Sequence, residues 1–132
     1  MAAPRIAIVN DDTAFLRMMS LLLTEEGYET LLVQGPEDAH QRLREEQPDM
    51  VILDIRMGEP EAGWQLLELL RLDPETTRIP VLVCSAAVQE LRAKADILRD
   101  LRCDILPKPF DLDQLLAKVR DMLGQGEGSA PK

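Results

Sequence analysis

What this 132-residue chain has little of narrows its function first. It holds only two cysteines, Cys84 and Cys103. That is too few for a disulfide framework or a cysteine metal cluster, and Cys84 lies inside an apolar run as small core filler. Basic residues are outnumbered 15 to 24, for a net charge of −9. Such a surface repels a phosphate backbone, so direct binding of nucleic acid is not expected. No apolar run approaches the ~20 residues of a membrane span. The segment Met1-Ala2-Ala3-Pro4-Arg5 carries no apolar signal stretch, so a cytoplasmic protein without membrane contact is the expectation. There is no glycine-rich phosphate loop of the Walker type. The only histidine, His40, falls on a polar helical pattern with no partner motif, and no serine–histidine–acid arrangement is visible.

What is present reads as an ordinary soluble domain, with 45% hydrophobic and 30% charged residues. At this length the chain makes one domain with a real core. Arg5–Asn10 predicts a strand, and Asn10-Asp11-Asp12-Thr13 a turn and helix start, with Asp12 or Thr13 as cap. Phe15, Met18, Met19, Leu22 and Leu23 recur at helical spacing as core residues, and Gly27 stops that helix. A strand over Glu29–Gln34 follows. Pro36 suits the first position of a polar helix that runs through Gln47, with Ala39 and Leu43 as its thin buried face. The run Met50-Val51-Ile52-Leu53 predicts a strand buried on both faces and ending at Asp54. After a loop over Gly58–Gly63 come a helix from Trp64 to Leu72, with Leu66, Leu69 and Leu70 on one side, and a strand from Ile79 to Cys84 that ends at Ser85. A helix over Val88–Leu101, a short strand over Asp104–Leu106 and an amphipathic helix carrying Leu112, Leu115, Leu116, Val119, Met122 and Leu123 complete the domain at about residue 123. Residues 124–132 read as a frayed tail or a linker stub.

Strand and helix alternate five times through short connections. That pattern predicts an α/β protein with a parallel sheet and helices on both faces. In such sheets ligands bind at the carboxyl ends of the strands. Asp11, Asp54, Ser85 and Lys108 all fall at or just past such ends. Alone, Asp54 would be a strand-terminal cap. Together, two carboxylates, a hydroxyl and an ammonium suit a metal and a phosphoryl group. Asp54 can act as a nucleophile toward phosphorus, Asp11 and Asp54 can hold magnesium, Lys108 can supply a point charge, and Ser85 can donate its hydroxyl.

Four motifs in this order and spacing resemble the receiver domain of response regulators in two-component signalling. They are Ile6–Asp12, Val51–Met57, Ile79-Pro80-Val81-Leu82-Val83-Cys84-Ser85-Ala86 and Leu106-Pro107-Lys108-Pro109-Phe110. The resemblance runs from about Arg5 to Leu123 and covers nearly the whole chain. It implies a flavodoxin-like, doubly wound five-stranded parallel sheet of order 2-1-3-4-5 with five helices. It implies that Asp54 accepts a phosphoryl group from a histidine kinase or phosphotransfer protein, with Ser85 and Lys108 on the phosphoryl group. Mg2+ would be held by Asp11, Asp54 and the backbone carbonyl of Arg56, and the Lys108–Pro109 bond would be cis. The expected output is a docking surface for a downstream protein, and the expected chemistry only self-catalysed phosphorylation and slow autodephosphorylation.

The chain departs from the family pattern at several places. Asn10 stands where the first of two acids is usual, and its amide can reach a metal only through a water. Gly58 replaces a proline, the loop before Gly63 is one residue longer, and the segment from Ser85 to Lys108 is slightly long. Ile105 replaces an aromatic residue that turns inward on activation. Two other functions compete. One is a constitutive pseudo-receiver, which Asn10 favours and the intact Asp11, Asp54, Ser85 and Lys108 oppose. The other is an aspartate-nucleophile phosphatase, which wants an acid two residues after the nucleophile, where Arg56 stands.

Overall fold

The structure is a computed structural model that describes residues 3–55, 61–85 and 88–124. Five strands, β1 (Arg5–Asn10), β2 (Glu29–Gln34), β3 (Met50–Asp54), β4 (Val81–Ser85) and β5 (Cys103–Pro107), form one parallel sheet of order β2-β1-β3-β4-β5. This is the order that the receiver resemblance implied. Among the described residues there are six helices: α1 (Thr13–Glu25), α2 (Ala39–Glu46), α3 (Ala62–Leu72), α4 (Val88–Ala93), α5 (Ala95–Asp100) and α6 (Leu112–Met122).

The sheet buries both faces, and alternation along each strand divides the core in two. Ala7, Val9, Val51, Leu53, Val81 and Val83 pack with Leu43 of α2, Leu67 and Leu70 of α3, Leu91 of α4 and Leu98 of α5. Ile6, Ile8, Met50, Ile52, Leu82 and Cys84 pack with Met19 and Leu23 of α1 and with Leu115, Leu116 and Val119 of α6. Every strand therefore delivers its carboxyl end to one edge while its side chains are used on either side.

Several expectations are corrected. The helix anticipated over Val88–Leu101 is broken into α4 and α5 at Lys94, whose φ of −107° and ψ of 20° leave the helical range. Leu91 and Leu98 are still buried, so the apolar spacing survived an interruption that one residue's backbone makes. Pro36 does not open α2: the helix starts at Ala39, after Asp38 in the left-handed region at φ 63°. Met18 and Leu69, both read as core, are 45% and 47% exposed, while Leu16 and Leu67 take the buried places. Where two apolar residues are adjacent, spacing alone leaves the centre of the stripe ambiguous. Other expectations hold. Asp12 caps α1 by accepting from the backbone N–H of Ala14 and Phe15 at 3.0 and 3.3 Å, and Gly27 follows the helix end at φ 94°.

Arg71, near the end of α3, has no counterpart in the sequence reading. Its Nε donates to the Leu101 carbonyl at 2.6 Å, and Nη1 donates to the carbonyls of Thr77 and Ile79 at 3.0 and 2.9 Å. One half-buried guanidinium thus ties together α3, the approach to β4 and the approach to β5. Removing it leaves the Leu101 and Ile79 carbonyls without this charged donor and the Thr77 carbonyl with only Arg102 Nη2 at 3.4 Å, a change worth roughly 2–4 kcal/mol when part of the cluster is out of water. Arg71→Ala is therefore expected to lower the urea midpoint with an unchanged m-value. Arg71→Lys is expected to recover only a small part, since a point charge cannot fork to three acceptors. A midpoint equal to that of the parent chain would show the cluster to be inert.

Candidate functional site

The carboxyl edge of the sheet gathers the residues that the sequence singled out. β1 and β3 are neighbours in register, with Val9 opposite Leu53, so the next residues along, Asn10 and Asp54, end side by side. The Asn10 Nδ2 donates to Asp54 Oδ2 at 3.1 Å. Lys108 reaches the same oxygen from beyond β5, with Nζ at 3.4 Å. The Asp54 side chain is only 12% exposed and that of Lys108 25%, so the pair is screened less than a surface pair would be.

Ser85 is fully buried at the end of β4. Its carbonyl accepts the Lys108 backbone N–H at 2.8 Å, which binds the ends of β4 and β5 together and fixes where the lysine leaves the sheet. The Lys108–Pro109 bond is cis, as the resemblance implied. Asp11 is exposed, one residue past the end of β1. The backbone carbonyl expected from Arg56, and the Ala86-Ala87 segment after Ser85, lie outside the described residues. Gly63 sets the far wall: a Cβ there would fall 2.2 Å from the Ile55 carbonyl oxygen. Only glycine lets the start of α3 press against the residue after Asp54.

Other groups found no signal in the sequence. The Phe15 ring of α1 lies 4.6 Å from Lys108 Nζ, a cation–π contact. Trp64 Nε1 donates to Glu90 of α4 at 2.6 Å, and Lys94 Nζ sits 4.8 Å from the Trp64 ring centroid. His40, read as having no partner, has one: its Nε2 lies 2.8 Å from Asp73 Oδ2, which Arg44 also approaches at 3.3 Å. The Glu75 N–H first, and then His40 and Arg44, hold the Asp73 carboxyl below the ordinary range. This cluster joins α2 to the end of α3 and includes none of the four residues at the sheet edge. Cys84 is opposite Asp54 in register, but burial pushes its thiol up to about 12, so it stays protonated and is no competing nucleophile.

The donor set suits a hard cation bound in an open site. Among the described residues no group of three acid, histidine or cysteine side chains could enclose a metal. Magnesium does not require that: one or two carboxylates suffice, with waters and phosphate oxygens in the remaining positions. Asp54 ends β3 and Asp11 follows β1 by one residue at the same edge of the sheet.

Comparison with known proteins agrees with this geometry. The family model for the response regulator receiver domain matches residues 6–120. The chain is 33% identical over 123 residues to the phosphate regulon transcriptional regulatory protein PhoB of Rhizobium meliloti, covering 91% of this chain and 52% of that protein. It is 34% identical over 133 residues to the response regulator MprA of Mycolicibacterium vanbaalenii, covering 96% and 56%. The chain thus spans about half the length of these relatives. Among solved structures, a response regulator receiver protein from Sinorhizobium medicae superposes with a TM-score of 0.76 at 28% identity, covering 92% of this chain and 94% of that one. The fold is shared too by the receiver domain of a sensor histidine kinase from Pseudomonas aeruginosa, a structure with a magnesium ion coordinated in its active-site cleft, at a TM-score of 0.79 and 21% identity, covering 93% and 99%. With the strand order and a family match across residues 6–120 in agreement, the chain belongs to the response regulator receiver domain family of two-component systems.

Proposed function

We propose that this chain is a phosphorylation-controlled switch whose acceptor is Asp54, fed by a histidine kinase or phosphotransfer protein and read by a downstream protein. The observation that carries this reading is the Asp54 carboxylate itself: nearly buried, at the end of a strand whose other four residues are apolar and buried, with an ammonium at 3.4 Å. A carboxylate in that position is costly unless it is paired and hydrogen-bonded, and here Lys108 and Asn10 supply both at the sheet edge where ligands of such folds bind. In the transfer, an Asp54 oxygen attacks the phosphorus of a phosphoryl donor. The new O–P bond forms as the bond to the donor breaks, and the donor group leaves with that electron pair and takes up a proton. Asp11 and Asp54 would hold magnesium, which when bound supplies positive charge against the phosphoryl oxygens. Lys108 supplies a second positive charge from the fifth strand, and Ser85 a hydroxyl donor from the fourth.

The acidic surface favours a protein over a nucleic acid as the target of this chain. Among the described residues no helix is long and apolar enough to cross a membrane. Ile105 is half-buried against the Leu91 and Leu98 side of the core, so the ring that the family turns inward has no equivalent there. Incubation with acetyl phosphate and magnesium should add a single phosphoryl group by intact mass, removable by hydroxylamine as an acyl phosphate is. No mass gain over a donor-free control would remove this reading.

A further inference from the structure

We propose that Asn10 is a positioning residue for Asp54, holding the acceptor carboxylate in place in the metal-free protein, where an acid at this position would drive it away. This rests on Asp54 being the acceptor. Asn10 is 2% exposed, and both ends of its amide are committed. Oδ1 accepts the backbone N–H of Asp12 at 2.9 Å, and Nδ2 donates to Asp54 Oδ2 at 3.1 Å. The first bond settles the amide's orientation, because only the carbonyl oxygen can accept from an N–H. The NH2 therefore faces Asp54.

An aspartate in the same place would still accept from the Asp12 N–H. Its other oxygen would then stand at hydrogen-bond distance from a carboxylate oxygen, where two acceptors repel and no proton lies between them. Such a pair leans on more positive charge than the Lys108 ammonium, already 3.4 Å from Asp54 Oδ2, supplies to a single carboxylate. In this chain the site carries Asp11 and Asp54 against Lys108, and a neutral donor completes the arrangement. The acceptor is set in position by hydrogen bonds made within the folded protein, and less of that task is left to a bound ion. The same amide bridges the end of β1 to the cap of α1, since Asp12 is the residue that caps that helix. The position of Asp54 is thereby tied to the start of α1.

The test is a thermal melt of unphosphorylated protein in chelator, with and without excess magnesium. Asn10→Asp should lower the midpoint by roughly 5 °C in chelator. The same substitution in an Asp54→Asn background should cost close to nothing, because the facing residue then offers an amide donor in place of a carboxylate. Added magnesium should raise the midpoint of Asn10→Asp by more than it raises that of the parent chain. If Asn10→Asp folds only in the Asp54→Asn background, the coupling is stronger still and the proposal stands. An equal cost in both backgrounds, no cost in the parent background, or equal magnesium shifts would overturn it. None of these melts depends on phosphorylation. A parent chain that takes no phosphoryl group would therefore remove the functional reading alone and leave the Asn10–Asp54 coupling to be judged on its own result.

Discussion

Lys108→Ala is expected to slow phosphorylation by acetyl phosphate about a hundredfold, the order found when a single preorganised donor is taken from developing negative charge, while costing the fold roughly 1–3 kcal/mol, between an exposed and a buried pair. The two effects separate for a structural reason. The Lys108 backbone N–H is held by the Ser85 carbonyl at 2.8 Å, a bond that alanine keeps. The side chain alone reaches the site, between Asp54 Oδ2 at 3.4 Å and the Phe15 ring at 4.6 Å. In the unphosphorylated protein its removal leaves Asp54 with the Asn10 amide, so the acceptor stays bonded but loses the ammonium at 3.4 Å. Some stability is then lost, because the Asp54 carboxylate no longer has the ammonium beside it. The phosphorylated state, with more negative charge at the same place, should lose more. Docking to the downstream partner should weaken accordingly. Stopped-time mass measurement and a urea titration on the same preparation check both halves. Unchanged labelling together with unchanged partner binding would mean that Lys108 is only a strand-end cation.

The sheet and the place of the site were readable because β1, β3 and β4 are short apolar runs that end in a polar residue: Val9 before Asn10, Leu53 before Asp54, Cys84 before Ser85. Alternating helices dictated parallel strands, and parallel strands put those ends together. What was not readable depends on contacts between residues far apart in the chain. Nothing local to Arg71 announces carbonyls at Thr77, Ile79 and Leu101. His40 looked solitary because Asp73 is 33 residues away. The break at Lys94 lies between Glu90 and Ala95, in a stretch whose apolar spacing is regular. The helix beside it is instead marked by the Glu90 and Lys94 contacts to Trp64. Asn10 was legible as a departure from an acidic pair. The direction of its amide came only from the Asp12 N–H that fixes it.

The account stands most directly on the identity of the acceptor. Asp54 ends a strand whose other four residues are apolar and buried, and it receives both an amide and an ammonium on a single oxygen. Asp11 is exposed and Asp12 is engaged as the cap of α1, so neither is held for in-line attack in the same way. Asp54→Asn keeps the shape of the side chain and the chance of a hydrogen bond with Asn10, but it removes the nucleophilic oxygen pair. The deciding measurement is intact mass after acetyl phosphate and magnesium, run side by side on the parent chain and on Asp54→Asn, with folding of both verified by melting. The account predicts one hydroxylamine-labile phosphoryl group on the parent chain and none on the variant. Equal labelling of the two would contradict it.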